Sequence, residues 1–290
     1  MHANAPAKVN LFLKVVARRP DGYHDLENVF LPLPDLHDTL SLEPLPDDGS
    51  LTRLVADGPY AVPTDASNLC LKAVEAFARA TGLTPRIRLQ LTKRIPVAAG
   101  LGGGSSDAAA TLLLLNRHCR TGLTDSQLEA IAATLGADVP FFIRPHLALG
   151  TGRGDRLAPI DAAPAPLTLL LLTPAFPVPV AWSFAHRLPP PADAPELPAL
   201  LDALRHPTSP ETLAALCRND LEHALFRKFP LLDLMRQRLL DAGALTVHVS
   251  GSGPSLFAIV PDDDAEGIRQ TLTDAFPSFP QPTLHRVRFQ

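Results

Sequence analysis

The chain has 290 residues, enough for two domains at roughly 100–200 residues each. With 46% apolar and 19% charged residues it can bury a core, which argues against wholesale disorder, and a formal net charge of −4 offers no basic footprint for nucleic acid or an anionic membrane. Proline is in excess at 31 residues, but the 17 glycines show no three-residue period, which excludes collagen.

Cys70, Cys119 and Cys217 are odd in number and widely separated, so a reducing compartment is expected rather than a disulfide framework. Lys8, Asn10 and Lys14 interrupt the first apolar residues, so no signal-peptide core forms there. No apolar run approaches the ~18 residues of a membrane span. A soluble, cytoplasmic protein is expected.

Residues 7–17 alternate, with Val9, Leu11, Leu13 and Val15 on one face and Lys8, Asn10, Phe12 and Lys14 on the other, the pattern of a half-buried strand. Pro20, Asp21 and Gly22 supply a turn before Tyr23 and His24. Residues 24–62 read as further short strands, with a turn at 46–49. Leu69, Ala73, Val74 and Phe77 recur at helical spacing behind the possible caps Asp65 and Ser67, and Gly82 ends the pattern.

Residues 86–92 alternate again as a strand, followed by a glycine-rich loop and an Ala/Leu helix to about Cys119. Thr124 and Gln127 form a capping box for the next helix, Gly136 ends it, and the step before Pro140 is expected to hold Val139 extended beside Asp138. Thirteen prolines crowd residues 159–210, which read as a proline-bounded strand and irregular chain at a domain boundary. Helices at 210–217 and 231–241 and a strand, Gly251–Pro254 loop and strand over 246–260 complete the chain, with no internal repeat.

The strongest chemical signal is the loop. Four glycines within five residues (Gly100, Gly102, Gly103, Gly104) let backbone N–H groups approach an anion, and the following helix adds its N-terminal partial charge. Phosphate is the natural ligand; close helix–strand packing is the plainer alternative. The loop is not a P-loop, since none of the five lysines follows a glycine, nor a dinucleotide fingerprint, since Ser105 stands where the third glycine belongs. Lys8 and Asn10 share a strand face and could enter a site together or form a solvated sheet edge. Asp138 could be a general base or a loop residue. Tyr23 and His24 could stack on a planar ligand or only finish a hairpin. The ten histidines show no metal-binding spacing, and Gly251-Ser252-Gly253 is no nucleophile elbow.

Taken together, four ordered motifs resemble the GHMP small-molecule kinases. They are Pro6 to Leu13 with Arg18 to His24, Pro96 to Ser106, Gly136 to Phe142, and Ser250 to Ser255. The resemblance implies an α+β fold in two parts, a ribosomal-protein-like N-terminal domain over 1–155 and a ferredoxin-like C-terminal domain over 156–290, with the active site in the cleft between. Pro96 to Ser106 marks the superfamily, while Arg18 to His24 and Gly136 to Phe142 imply the branch that transfers the ATP γ-phosphoryl group to the 2-hydroxyl of a cytidine-diphosphate-linked methylerythritol.

In that reading Asp138 is general base and Lys8 its neighbour. The phosphates lie on Pro96, Val97, Ala98, Ala99, Gly100, Leu101, Gly102, Gly103, Gly104, Ser105 and Ser106, with Asn68 near the nucleotide, and Asn10, Tyr23 and His24 receive the cytidine end. Mg2+ is expected with the ATP, without an assigned protein ligand. Val180 stands where the family commonly carries threonine, and Pro145 where a small flexible residue is usual. The rivals are another GHMP kinase, acting on homoserine, mevalonate or a sugar, and a non-catalytic nucleotide- or RNA-binding protein.

Overall fold

The computed structural model describes residues 1–46, 52–163, 166–277 and 280–288. In chain order its elements are β1 (His2–Arg18), β2 (His24–Pro44), β3 (Arg53–Asp57), α1 (Leu69–Thr81), β4 (Ile87–Thr92), α2 (Gly103–Cys119), α3 (Asp125–Ala132), a 3-10 turn (Pro140–Ile143), β5 (Ala148–Thr151), β6 (Arg156–Pro159) and β7 (Pro166–Leu172). Then follow α4 (Val180–Ala185), α5 (Leu197–Arg205), α6 (Pro210–Leu216), β8 (Arg218–Asn219), α7 (Glu222–Lys228), α8 (Pro230–Asp241), β9 (Thr246–Val249), β10 (Leu256–Ile259), α9 (Ala265–Ala275) and β11 (Thr283–Arg288). No helix among the described residues is long and apolar enough to cross a membrane.

Two compact units interleave along the chain: Met1–Lys8, Pro32–Val97 and Gly102–His146 form one, and Val9–Leu31, Ala98–Leu101 and Leu147–Gln290 the other. In the first unit β4 pairs with β2 antiparallel and with β3 in parallel, and the Met1 amine donates to the Leu42 carbonyl at 2.9 Å. Helices α1 and α2 pack on each other, burying Cys70, Ala73, Val74 and Phe77 of α1 and Leu112 and Leu115 of α2. Helix α1 ends as expected, with Gly82 left-handed at φ 72° and its N–H returned to Ala78. Its start differs: Asn68 is the cap, accepting from the Cys70 N–H, while Asp65 instead binds Ser67. The Thr124–Gln127 capping box is present in full.

The second unit holds a four-stranded antiparallel sheet in the order β11-β7-β10-β9, with α8 and α9 packed on it. That order, with α8 before β9 and α9 before β11, is the βαββαβ arrangement of a ferredoxin-like domain. Its core joins Leu170, Leu172, Met235, Leu239, Val249, Ile268 and Leu272. In the same unit β8 pairs in parallel with β1, and β5 joins β2 to β6.

Several local expectations are corrected. Strand β1 is buried on both faces, because Lys8, Asn10 and Phe12 are as enclosed as Val9, Leu11 and Leu13. Residues 24–44 form one long strand rather than several short ones. The turn expected at 46–49 falls, beyond Pro46, outside the described residues. Val139 is helical (φ −63°, ψ −42°), not extended: the Val139 N–H bonds Gly136 and its carbonyl takes the Phe142 N–H, offsetting the crowding from Pro140.

The proline-rich stretch is more regular than its composition suggests. It holds β7, α4 and α5, with Pro166 opening β7, Pro179 capping α4, and prolines in the first turns of α5 and α6. The three cysteines are free, as expected, and burial pushes the Cys70 and Cys217 thiols up to about 12.

Candidate active site

In the first unit, three of the singled-out motifs meet. Lys8, 3% exposed on β1, places its Nζ 3.7 Å from Oδ2 of Asp138, whose side chain is 37% exposed. Burial lowers the Lys8 pKa, and Asp138 opposes that by charge and hydrogen bonding. Asp138 is therefore partly open to solvent while a sequestered cation stands beside it. Gly102 completes the group: at φ 73°, a Cβ there would lie 2.6 Å from Phe142 Cζ and 3.2 Å from Lys8 Cγ. Only a residue without a side chain lets the loop rest on both.

The loop winds through left-handed backbone at Ala98 (φ 53°), Gly100 (φ 78°) and Gly102 (φ 73°) before α2 begins at Gly103. Left-handed residues at alternate positions are a backbone form found in anion-binding nests. Pro96 is half-buried, Val97 is exposed, and Ala99 and Leu101 are buried anchors of the turn. Gly104 and Ser105 lie at the accessible start of α2, while Ser106 Oγ is buried with no hydrogen-bond partner among the described residues. Asn68 spends its side chain locally, accepting from the Cys70 N–H at 2.9 Å and donating to the Pro63 carbonyl at 2.7 Å. Its neighbour Leu69 lies where a Cβ on Gly104 would meet it at 3.5 Å.

In the second unit the first half of the loop is braced by the Ser250–Ser255 segment. Ser250 Oγ donates to the Gly100 carbonyl at 2.9 Å, and the Ser255 N–H donates to the Ala99 carbonyl at 3.2 Å. Two motifs that are 150 positions apart therefore form one contact, as the Ser250–Gly100 bond records.

The residues expected to receive a planar ligand also lie in this unit. Asn10 Nδ2 donates to Asn28 Oδ1 at 2.7 Å, both side chains being buried. The turn at Asp21 is set by its carboxylate, which accepts the Tyr23 N–H at 3.1 Å, with Gly22 at φ 88°. Tyr23 is left 56% exposed, with the Arg153 guanidinium 5.1 Å from its ring centroid. His24 stacks on Phe184 with centroids 5.1 Å apart and rings 20° from parallel. Burial, then Arg187 and Arg18, lower its pKa, which favours the neutral imidazole at neutral pH. Val180 is exposed at the first position of α4.

Comparison with known proteins agrees in both halves. The GHMP kinases N terminal domain matches residues 68–145 and the GHMP kinases C terminal domain residues 199–278. A 4-diphosphocytidyl-2-C-methyl-D-erythritol kinase of Geobacter metallireducens is 38% identical over 273 residues, covering 93% of each chain. One of Solidesulfovibrio magneticus is 40% identical over 260 residues, covering 88% of this chain and 86% of that one. The chain belongs to the GHMP kinase family.

A solved structure of 4-(cytidine 5'-diphospho)-2C-methyl-D-erythritol kinase superposes on this GHMP kinase with a TM-score of 0.78 at 35% identity, covering both chains in full. The homoserine kinase of Cytophaga hutchinsonii reaches a TM-score of 0.76 at 18% identity, a likeness of fold alone. The protein is thus a small-molecule kinase, with ATP as the phosphate donor its family implies.

Other residues of this kinase were not singled out from the sequence. Phe184 presents the ring on which His24 stacks, and Asn28 holds Asn10. Asn219 clamps the brace itself, donating to the carbonyls of Val249 at 2.7 Å and Gly251 at 2.8 Å while its Oδ1 accepts the Leu221 N–H. Lys93, Asp38 and Asp107 form a buried charge cluster behind the loop. None carries a local sequence signal; their partners are supplied by distant sequence. No group of three or more His, Cys, Asp or Glu side chains among the described residues could hold a metal ion.

Proposed function

We propose that this kinase transfers the γ-phosphoryl group of MgATP to the 2-hydroxyl of 4-diphosphocytidyl-2-C-methyl-D-erythritol, in the cytoplasm and as a step of the non-mevalonate route to isoprenoid precursors. The relatives of that name, at 38–40% identity over most of this chain, support the substrate. The observation that carries the chemistry is the Lys8–Asp138 pair, 3.7 Å apart, with the loop glycine Gly102 against Lys8. The two family models support reading residues 1–155 and 156–290 as the N- and C-terminal kinase domains.

Asp138 takes the proton of the 2-hydroxyl as that oxygen bonds to the γ-phosphorus, and the bond from the γ-phosphorus to the bridging oxygen of ADP breaks. Lys8, whose pKa burial lowers against the opposing effect of Asp138, offsets as an ammonium ion the charge of the developing alkoxide and of the transferring group. The N–H groups and hydroxyls of the loop from Pro96 to Ser106 hold the triphosphate, and Asn68, the cap of α1, is assigned to the neighbourhood of the nucleotide. Magnesium carried with ATP as part of that substrate would neutralise charge between the phosphates. Asn10, Tyr23 and His24 take the cytidine end; an exposed aromatic ring and a neutral imidazole suit a planar base. The same feature favours this substrate over homoserine or mevalonate, which have no base to stack.

ADP release in a coupled assay, with this substrate, mevalonate and homoserine each offered with MgATP, tests the assignment. Turnover is expected with the cytidine-linked substrate and at least about 10³-fold lower kcat/KM with the others, since a site built for polar groups rejects substrates that leave them unpaired. Comparable or better turnover with either of the others would overturn it.

A further inference from the structure

Directly beneath the start of α2, one ammonium is shared by two carboxylates. Lys93, Asp38 and Asp107 are at most 3% exposed. Lys93 Nζ donates to Asp107 Oδ2 at 2.7 Å and also to Asp38 Oδ2. Asp38 is fully engaged, because its Oδ1 accepts the N–H groups of Arg94 at 2.5 Å and Ile95 at 2.8 Å. Asp107 is not: its Oδ1 is buried with no hydrogen-bond partner among the described residues.

Two carboxylates against one cation leave a surplus negative charge out of water, a costly state that a proton relieves. The carboxylate with an unengaged oxygen is where that proton goes. Burial, with a further contribution from Asp38 and against the pull of Lys93, raises Asp107 to about 7. The two carboxylates outweigh burial at Lys93 and keep it charged. The remaining titratable group here is Cys70 of α1, whose thiol is pushed up to about 12 by burial and by Asp107, so it stays neutral.

The cluster lies close to the loop. A Cβ on Gly103, the first residue of α2, would come within 2.8 Å of Lys93 Nζ, and Asp107 is one helical turn further on. Phosphates on the loop would add several negative charges next to a site that already has one too many. We propose that Asp107 is a proton-coupled positioning residue: when the triphosphate settles on the glycine loop, Asp107 takes up a proton from solvent, the surplus buried charge disappears, and Lys93 remains paired with Asp38. The proton returns to solvent when the nucleotide leaves. This inference rests on the reading that the loop holds the triphosphate.

Isothermal titration of the full-length protein with MgATP, without acceptor, in buffers of differing ionisation enthalpy reads proton uptake directly. A one-unit rise from about 7 gives an uptake near ~0.5 proton at about pH 7.5. The Asp107→Asn variant is expected to bind MgATP with an uptake below ~0.1 proton. Equal uptake in both proteins, or binding to wild type with no uptake, overturns the proposal while leaving the loop reading intact. Absence of MgATP binding to wild type overturns the loop reading and this inference with it. Should the variant not fold, the wild-type pH series decides: uptake that peaks between about pH 7 and pH 8 supports Asp107, and uptake that is flat across pH 6 to 9 overturns it.

Discussion

Asp138→Asn is expected to lower kcat by about 10²–10⁴-fold, the usual worth of a general base, while MgATP affinity stays within about threefold of wild type. The amide has the carboxylate's shape, so its hydrogen bond toward Lys8 and the packing of Phe142 on Gly102 are preserved, but it accepts no proton. A second signature follows from the pair itself. Burial lowers the Lys8 pKa and Asp138 opposes it, so removing the Asp138 charge moves the Lys8 titration lower still. Residual turnover of the variant is therefore expected to fall off at lower pH on the alkaline side than that of wild type. Near-normal turnover would remove Asp138 from the role of base.

Gly100→Ala is expected to have the largest structural effect of any single change in the loop. Its φ of 78° lies where a Cβ costs about 1–2 kcal/mol by itself. That Cβ would also lie 2.1 Å from the Ser250 carbonyl oxygen and 3.1 Å from the Gly253 nitrogen, both of them backbone atoms. The contact can be relieved only by parting the loop from its brace, which breaks the Ser250–Gly100 and Ser255–Ala99 bonds. A destabilisation of about 3 kcal/mol or more is expected, read as a drop in the denaturation midpoint, together with loss of MgATP binding. Gly82→Ala serves as the contrast: it has the same sign of φ (72°) but nothing within 4 Å of the added Cβ, so only the backbone cost is expected. Equal losses in both variants would show that the brace adds nothing.

The features legible in the sequence are those whose cause is local. The glycine loop and the start of α2 follow from four glycines ahead of an Ala/Leu run, and the α3 cap from Thr124 and Gln127 alone. The α1 cap is ambiguous at that level, because Asp65, Ser67 and Asn68 are all capping types and tertiary placement decides among them.

Strand β2 reads as fragments because Pro32 and Pro34 interrupt it, yet it runs unbroken through both. Alternation in β1 signals one buried face, but Lys8, Asn10 and Phe12 on the other are buried as well, by chain that lies far away in sequence. The same limit hides the Lys93–Asp38 pair, 55 positions apart, and the Asn219 clamp on Gly251, 32 apart. The proline excess resolves into starts of elements at Pro166, Pro179 and Pro210, where a fixed φ costs nothing.

Phosphorus NMR of the product formed from MgATP and 4-diphosphocytidyl-2-C-methyl-D-erythritol tests the central claim most directly. Carbon 2 of that acceptor bears a methyl group and the hydroxyl but no hydrogen. Transfer to its oxygen is expected to give, with loss of the ATP γ resonance, one new phosphomonoester signal that shows no three-bond coupling to a proton. A monoester signal split by carbon-bound protons would place the phosphoryl group on another hydroxyl, and inorganic phosphate alone would mean hydrolysis; either result contradicts the account.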